Sequence, residues 1–163
     1  MGMIAPLYLR SGAVRHGSLS VPRKAERDFE LAAGYLDRDS AMRDILDKAE
    51  HADHLLRLKP NHHDDDSYEP STHTVNWDPH SALRVADGGR QSPALGLGHE
   101  LDHATVDPHI AEAGGNVYDP KYDNREERRV IAGSERHAAT TLGEDVRHDH
   151  RGWTYRVDSP VKR

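Results

Sequence analysis

The residues of this sequence best suited to chemistry are two histidines and a glutamate in the run His99-Glu100-Leu101-Asp102-His103. On a helix, positions four apart lie on one face, so both imidazoles can reach a single ion. Glu100 follows the first histidine directly and can address a water molecule on that ion. Zinc lowers the pKa of such a water, and a carboxylate removes its proton as it attacks a carbonyl. The pattern predicts a Zn²⁺ site with His99 and His103 as metal ligands and Glu100 as general base.

Two histidines leave the third protein ligand of a catalytic zinc site to be found. The longer pattern HExxHxxGxxH would place its last histidine at His109, which is present, and its glycine at Val106. A β-branched residue turns poorly out of a helix, which argues against His109. A carboxylate on the next helix, Glu126 or Glu127, is the better donor. Both fall in the first turn after Asn124, so the residues alone do not choose between them.

Caps and stops predict the helices that carry these residues. Ser92-Pro93 is typical of a helix start and Asp107-Pro108 of a helix end, so the motif helix spans about 93–105. Asn124 predicts the cap of a second helix, which Gly133 limits or breaks, with a helical piece over 134–142. The residues between, 107–123, are rich in turn formers and predict a loop.

The N-terminal segment 1–60 is expected to form an arm and two helices, and 61–163 the catalytic core, in one domain overall. Residues 1–20 show no sustained periodicity and predict a loose arm. Pro22 opens a helix with Phe29, Ala32, Ala33 and Leu36 at helical spacing. Asp39 or Ser40 caps the next helix, whose apolar face continues through Ala52 and Leu56 until Lys59-Pro60 ends it.

Short strands are predicted on either side of the motif helix. Segment 61–71 is polar and turn-rich, and the following run over 72–77 alternates with Val75 and Trp77 on one face. We expect this strand to form the sheet edge that faces the cleft. Leu83 and Val85 indicate a second strand, and the tail beginning WTYRV a third. The prediction is an α+β fold with a small sheet packed beside the motif helix.

Composition excludes several classes of function. The net charge of −6 argues against broad binding of nucleic acid or an anionic membrane. The absence of cysteine excludes disulfides, thiolate metal sites and a cysteine nucleophile. No run of 18 apolar residues predicts a transmembrane helix, and the N-terminus lacks the charged start of a signal peptide. If the protein is exported, another route is expected to carry it.

Two stretches of the sequence resemble a known class of enzyme. GHELDHA at 98–104 and DNREERRVIAG at 123–133 resemble the NleD-like zinc endopeptidases that bacteria use as effectors. They are also similar to toxin metallopeptidase domains at the C-termini of Rhs-type secretion proteins and, more distantly, to clostridial neurotoxin light chains. The resemblance covers roughly 70–160. It implies a zincin-like fold, secretion or delivery into a target cell, a protein or peptide substrate, and a cognate immunity or chaperone protein.

The same resemblance implies roles for particular residues. In the neurotoxin-like pattern the second glutamate of the pair binds zinc and the first supports the site, which selects Glu127 as ligand and Glu126 as its support. An arginine and a tyrosine near the C-terminus stabilise the tetrahedral intermediate. The candidates are Arg147 or Arg151, together with Tyr155 as a catalytic residue. A tyrosine packed on a strand in the core would give Tyr155 the same sequence pattern.

Two other functions fit the same residues. A zinc-stabilised binding module without catalysis would need the histidines but not a carboxylate beside the metal, so Glu100 favours hydrolysis. A zinc hydrolase could instead act on a small or cell-wall peptide. His148 and His150 follow the Arg147 candidate, and one of them is a candidate to contact substrate.

Overall fold

The computed structural model describes residues 7–8 and 12–163 and combines helices with small sheets, in keeping with the expected α+β class. The helices of this part are α1 (Arg23–Leu36), α2 (Ser40–Glu50), α3 (Pro93–Thr105), α4 (Pro108–Gly115), α5 (Arg125–Val130) and α6 (Arg136–Leu142), with a π-helical turn (Ile131–Glu135) joining the last two. The strands are β1 (Leu7–Tyr8), β2 (Ala13–His16), β3 (Leu19–Pro22), β4 (Leu56–Pro60), β5 (Ser67–Glu69), β6 (Thr74–Trp77), β7 (Ser81–Val85), β8 (Arg90–Gln91), β9 (Tyr118–Asp119), β10 (Asp123–Asn124) and β11 (Gly152–Arg156).

Most of the strands belong to one mixed sheet in the order β1-β2-β3-β4-β6-β5. Strand β4 pairs in parallel with β3 on one side and β6 on the other, and the remaining pairs are antiparallel. A smaller sheet has the order β11-β7-β8, and β9 pairs with β10. The N-terminal strands and the strands beside α3 are therefore hydrogen-bonded into one unit.

Two predictions for the N-terminal segment are wrong. Part of the expected loose arm is the β2–β3 hairpin, in which Val14 and Val21 are buried; its residues 1–6 and 9–11 lie outside the described residues. The second helix ends at Glu50, and Leu56 begins β4 rather than continuing the helical face. Ala52 and Leu56 have helical spacing, but Leu56 and Leu58 alternate as a strand requires, and the parallel neighbours of β4 decide between the two periods.

The strand expected over 72–77 is present as β6, with Val75 and Trp77 buried, but it is not a sheet edge. It lies between β4 and β5, and the edge on this side of the sheet is β5, which falls within the polar, turn-rich segment 61–71. The reason is the chain reversal between β5 and β6, which lets Tyr68 pair with Val75 in antiparallel register. Both strands contact α3, so a strand lies beside the motif helix as expected.

The hydrophobic core surrounds α3 and includes side chains from both the N-terminal segment 1–60 and the segment 61–163. Trp77 is fully buried and its indole N–H donates to the carbonyl of Pro93, at 2.8 Å, which joins β6 to the first turn of α3. A Cβ on Gly98 would lie 2.5 Å from Sδ of Met42, so this glycine permits the close packing of α3 on α2. A glycine that weakens the helix locally is thus required by its packing.

The helices near the motif largely match their predictions. Helix α3 begins and ends where Ser92-Pro93 and Asp107-Pro108 indicate, and α5 begins after Asn124. The prediction of a loop over 107–123 is wrong in part, because Asp107 caps α4 with its side chain and β9 and β10 form a short hairpin. In the described chain, no helix combines the length and apolar character needed to cross a membrane.

The turn between β2 and β3 lies against Glu50 at the end of α2, and this contact can be tested. Gly17 has φ +60°, and a Cβ there would lie 2.2 Å from the carbonyl oxygen of Glu50. We expect Gly17→Ala to lower the free energy of unfolding by about 1–2 kcal/mol through the left-handed backbone and a further 1–3 kcal/mol through the clash. Gly88→Ala is the control, since Gly88 also has positive φ but open space at its Cβ. Equal losses in urea unfolding of the two variants would contradict the proposed contact.

Candidate metal centre

Hydrogen bonds hold the N-terminus of helix α3 in place, and this helps to position His99 and His103 further along the helix. The Ser92 hydroxyl accepts a hydrogen bond from the amide of Leu95, while its own amide and hydroxyl donate to Glu144 at 2.6 and 2.7 Å. Leu95, Leu97 and Leu101 are buried beneath the helix. The motif helix is therefore a core element whose His99 and His103 side chains have little freedom to rearrange.

The Nε2 atoms of His99 and His103 meet Glu127 at one point. The two nitrogens lie 3.0 Å apart. Nε2 of His99 is 3.0 Å from Oε2 of Glu127, and Nε2 of His103 is 3.3 Å from its Oε1. The residues predicted as metal ligands are thus brought together. Metal–ligand bonds of 2.0–2.1 Å at a tetrahedral angle place neighbouring ligand atoms about 3.3 Å apart, which is close to these separations.

A carboxylate holds the other ring nitrogen of each histidine. Nδ1 of His99 lies 2.7 Å from Glu135, and Nδ1 of His103 lies 3.0 Å from Glu126. In each pair the ring N–H donates and the carboxylate accepts, so a ring in its neutral form presents an unprotonated Nε2 to the centre. This carboxylate–histidine arrangement is common around protein-bound metals, where it orients the ligand and raises its basicity.

Two arginines hold those supporting carboxylates. Arg147 binds both oxygens of Glu135 at 2.9 and 2.8 Å, and Arg129 binds both oxygens of Glu126 at 2.9 and 2.7 Å. Arg129 also donates to Asp102 at 2.7 Å. Bidentate pairs of this kind fix the plane of a carboxylate as well as its charge. Each histidine therefore rests on a carboxylate that is itself clamped.

The acidic surroundings favour positive charge at this point. Burial by itself lowers the pKa of His99, but the neighbouring carboxylates of Glu127 and Glu135 outweigh it and raise that pKa to about 10. Burial also lowers the pKa of His103, but contacts with Glu126 and Glu127 outweigh it and raise that pKa to about 9. Against its own burial, the two histidines hold the pKa of Glu127 well below its usual range. A cation placed among these groups meets the same attraction.

The unsatisfied atoms of the cluster fit a metal ion. Oε2 of Glu127 is buried and has no hydrogen-bond partner in the described chain, although Nε2 of His99 is 3.0 Å away. When both imidazoles are neutral, with the proton on Nδ1, they turn lone pairs towards each other and towards this oxygen. Converging lone pairs repel unless a positive charge lies between them. Two imidazoles and one carboxylate are also a donor set that zinc prefers.

Glu100 lies beside the cluster without joining the pairs just described. Its Oε1 is 3.9 Å from Nε2 of His99, and ligand atoms of His99, Glu100 and His103 all lie within 4.8 Å of one another. Burial raises the pKa of Glu100 above its ordinary value, although the two histidines oppose the shift. A carboxylate at this distance can accept a proton from a water molecule held at the centre.

Of the remaining predicted residues, only Arg147 lies at the centre. Tyr155 is on β11 with its ring 5.6 Å from the Arg90 guanidinium carbon, and its buried hydroxyl has no hydrogen-bond partner in the part of the chain described. Among the described residues, no hydrogen bond, ion pair or ring contact links Tyr155 to His99 or His103. Arg151 is exposed and binds Asp149, whereas Arg147 is buried with its Nη2 3.4 Å from Nδ1 of His99. His109 is exposed on α4.

Sequence reasoning missed Glu135 as a support of His99. It is the last residue of the π-helical turn, within which Gly133 has non-helical dihedrals of φ −102° and ψ −107°. Gly133 signalled a break, but the pattern gave no direction for the residues after it. It also missed Asp123, which binds His150, and did not foresee that Nε2 of His150 lies 3.4 Å from Oε2 of Glu127.

Comparison with known proteins gives no relative from which a role could be transferred. No family model matches the chain, and neither does a curated protein or a solved structure. What these residues do must therefore be inferred from their own geometry.

The two adjacent glutamates can be separated by metal affinity. We expect Glu127→Gln to weaken zinc binding far more than Glu126→Gln, because only Glu127 faces both Nε2 atoms. Loss of the supporting Glu126 should cost about 10–100-fold, as is usual for groups behind a ligand. His109→Ala is the control and should leave affinity unchanged. Competition with a chromophoric chelator gives the three affinities, and any other order would show that the donor is wrongly assigned.

Proposed function

We propose that the chain is a zinc-dependent endopeptidase with a zincin-like fold. The observation that supports this most is the meeting of the Nε2 atoms of His99 and His103 with the Glu127 carboxylate, with Glu100 alongside. A centre that only stabilised a fold would have no use for a further buried carboxylate within reach of the same point. The substrate class, a protein or peptide, rests on the sequence resemblance.

In this proposal each side chain has one task. His99, His103 and Glu127 hold the ion, and Glu135 and Glu126 orient the imidazoles through Nδ1. When bound, zinc would supply Lewis-acid activation of a water molecule and of the scissile carbonyl. Glu100 would accept the proton of the attacking water and pass it to the leaving amine. Its raised pKa suits this task, because a base works best when its pKa lies near the operating pH.

Strand β5 is the candidate surface for an extended substrate. It is one of the two edge strands of the large sheet and contacts α3, as was expected of β6 from the sequence. An extended peptide can add to such an edge through backbone hydrogen bonds, with side-chain pockets setting specificity. The proposed binding edge is therefore Ser67–Glu69 rather than 72–77.

The setting in which this activity is used is also a proposal. The resemblance favours an effector or toxin domain delivered into a target cell, with a cognate immunity or chaperone protein. A hydrolase of small or cell-wall peptides would use the same centre. Cleavage of a peptide library with zinc, compared with the same reaction after chelation, shows whether cleavage depends on the metal. The set of peptides that is cleaved separates a broad endopeptidase from an enzyme restricted to short or cross-linked peptides.

Glu100 provides the direct test of catalysis. We expect Glu100→Gln to retain one zinc per chain and to lower kcat by 100-fold or more, because proton transfer to a positioned side chain contributes about 10²–10⁴-fold. His99→Ala should instead lose the metal, and Glu112→Gln, an exposed glutamate on α4, should change neither property. The readouts are metal content by mass spectrometry and turnover on the cleaved peptide. Full turnover by Glu100→Gln would refute the mechanism.

Tyr155 tests whether β11 contributes to the site. As a donor to the developing oxyanion, its loss in Tyr155→Phe should lower kcat on the order of 10²-fold, with zinc content and melting temperature unchanged. A packing role predicts the reverse, a lower melting temperature with normal turnover per folded molecule. Tyr118→Phe, at an exposed tyrosine, is the matched control. Unchanged kcat in Tyr155→Phe would remove it from the mechanism and direct attention to Arg147.

A further inference from the structure

A third histidine contacts the proposed metal centre. His150 lies between α6 and β11, and its Nε2 is 3.4 Å from Oε2 of Glu127, the oxygen that also faces His99. Its backbone amide donates to the carbonyl of Lys121 at 2.9 Å, which brings this segment against the β9–β10 hairpin. The hairpin immediately precedes α5, which carries Glu127. His150 and Glu127 therefore come together from different parts of the chain.

His150 repeats the arrangement of the two motif histidines. Its Nδ1 is bound by the carboxylate of Asp123, as Glu135 binds Nδ1 of His99 and Glu126 binds Nδ1 of His103. In all three residues the carboxylate accepts from Nδ1–H and Nε2 faces Glu127. The separation of 3.4 Å from Glu127 also agrees with the roughly 3.3 Å expected between neighbouring ligands of one tetrahedral ion.

The three supports differ in burial. The side chains of Glu135 and Glu126 are 2% and 9% exposed, whereas that of Asp123 is 69% exposed and that of His150 is 35% exposed. An exposed pair is stabilised little, because water competes for both partners. Asp123 also has φ +70°, a left-handed conformation that costs free energy in a residue other than glycine. The His150 arm is therefore the most exposed of the three and the least strongly held.

We propose that His150 is a fourth, exchangeable ligand of the metal. Two motif histidines, Glu127 and His150 would then form a closed coordination sphere, and Asp123 would act as a positioning residue for the fourth ligand. A closed zinc site is structural, whereas a catalytic site keeps one position open. The endopeptidase proposed above would thus rest in a latent state, and release of His150 would open the position that water and substrate require.

The experiment counts imidazoles on the metal. The zinc-loaded full chain is measured by X-ray absorption fine structure, in which imidazole rings give a distinct outer-shell signal. We expect three imidazoles in the unaltered chain, two in His150→Ala, and three in His148→Ala, an exposed histidine of the same segment. Chelator competition should show affinity for zinc at least about 10-fold lower in His150→Ala and in Asp123→Asn than in the unaltered chain.

Outcomes for the two proposals can be separated. Two imidazoles in the unaltered chain, or equal zinc affinity in His150→Ala, would overturn the fourth ligand and leave the endopeptidase proposal standing. Three imidazoles in a chain without peptidase activity, even after His150→Ala, would support the ligand and refute the endopeptidase. Failure of the unaltered chain to bind zinc would refute both. Melting temperatures identify any variant that fails to fold, and Asp123→Asn leaves the imidazole itself in place.

Discussion

Converging lone pairs are the constraint around which the rest of the centre is arranged. Nε2 of His99, Nε2 of His103 and the oxygens of Glu127 all point to one buried spot at separations of 3.0–3.3 Å. In a low-dielectric interior such an arrangement is unfavourable unless positive charge occupies the spot. The Nδ1–carboxylate contacts and the arginines behind them make sense as a frame that keeps the donors pointing inward.

The arginines alone do not balance the charges around this spot. Two buried or partly buried arginines face a larger group of carboxylates, which are Glu100, Asp102, Glu126, Glu127 and Glu135. Without a metal, protons on His99 and His103 make up part of the difference, which is why their pKa values rise to about 10 and 9. A divalent cation would replace those protons, so metal binding and proton release are coupled at this centre.

How far the sequence predicted the site depended on how local each signal was. Caps and turns lie within a few residues of what they control, so α3 and the start of α5 were predicted correctly. The approach of Glu135 to His99 depends on the turn at Gly133, and that of Asp123 to His150 on a left-handed residue. Gly133 indicates a break but not the direction of the residues after it, and no pattern marks Asp123 as left-handed. Leu56 was assigned to a helix because its strand neighbours, β3 and β6, are distant in sequence.

The π-helical turn has a consequence for how the side chains on either side of it are oriented. Before the turn, Glu126 and Glu127 face the metal centre. After it, Ala138, Ala139 and Leu142 are buried in the hydrophobic core. In an unbroken α-helix one residue corresponds to a rotation of about 100°, so both demands would have to share a single phase. The turn acts as a phase shift between them. Because Gly133 is non-helical, the side chains before and after it need not share one helical phase, and Glu135 can face His99 while Ala138 and Ala139 remain in the core.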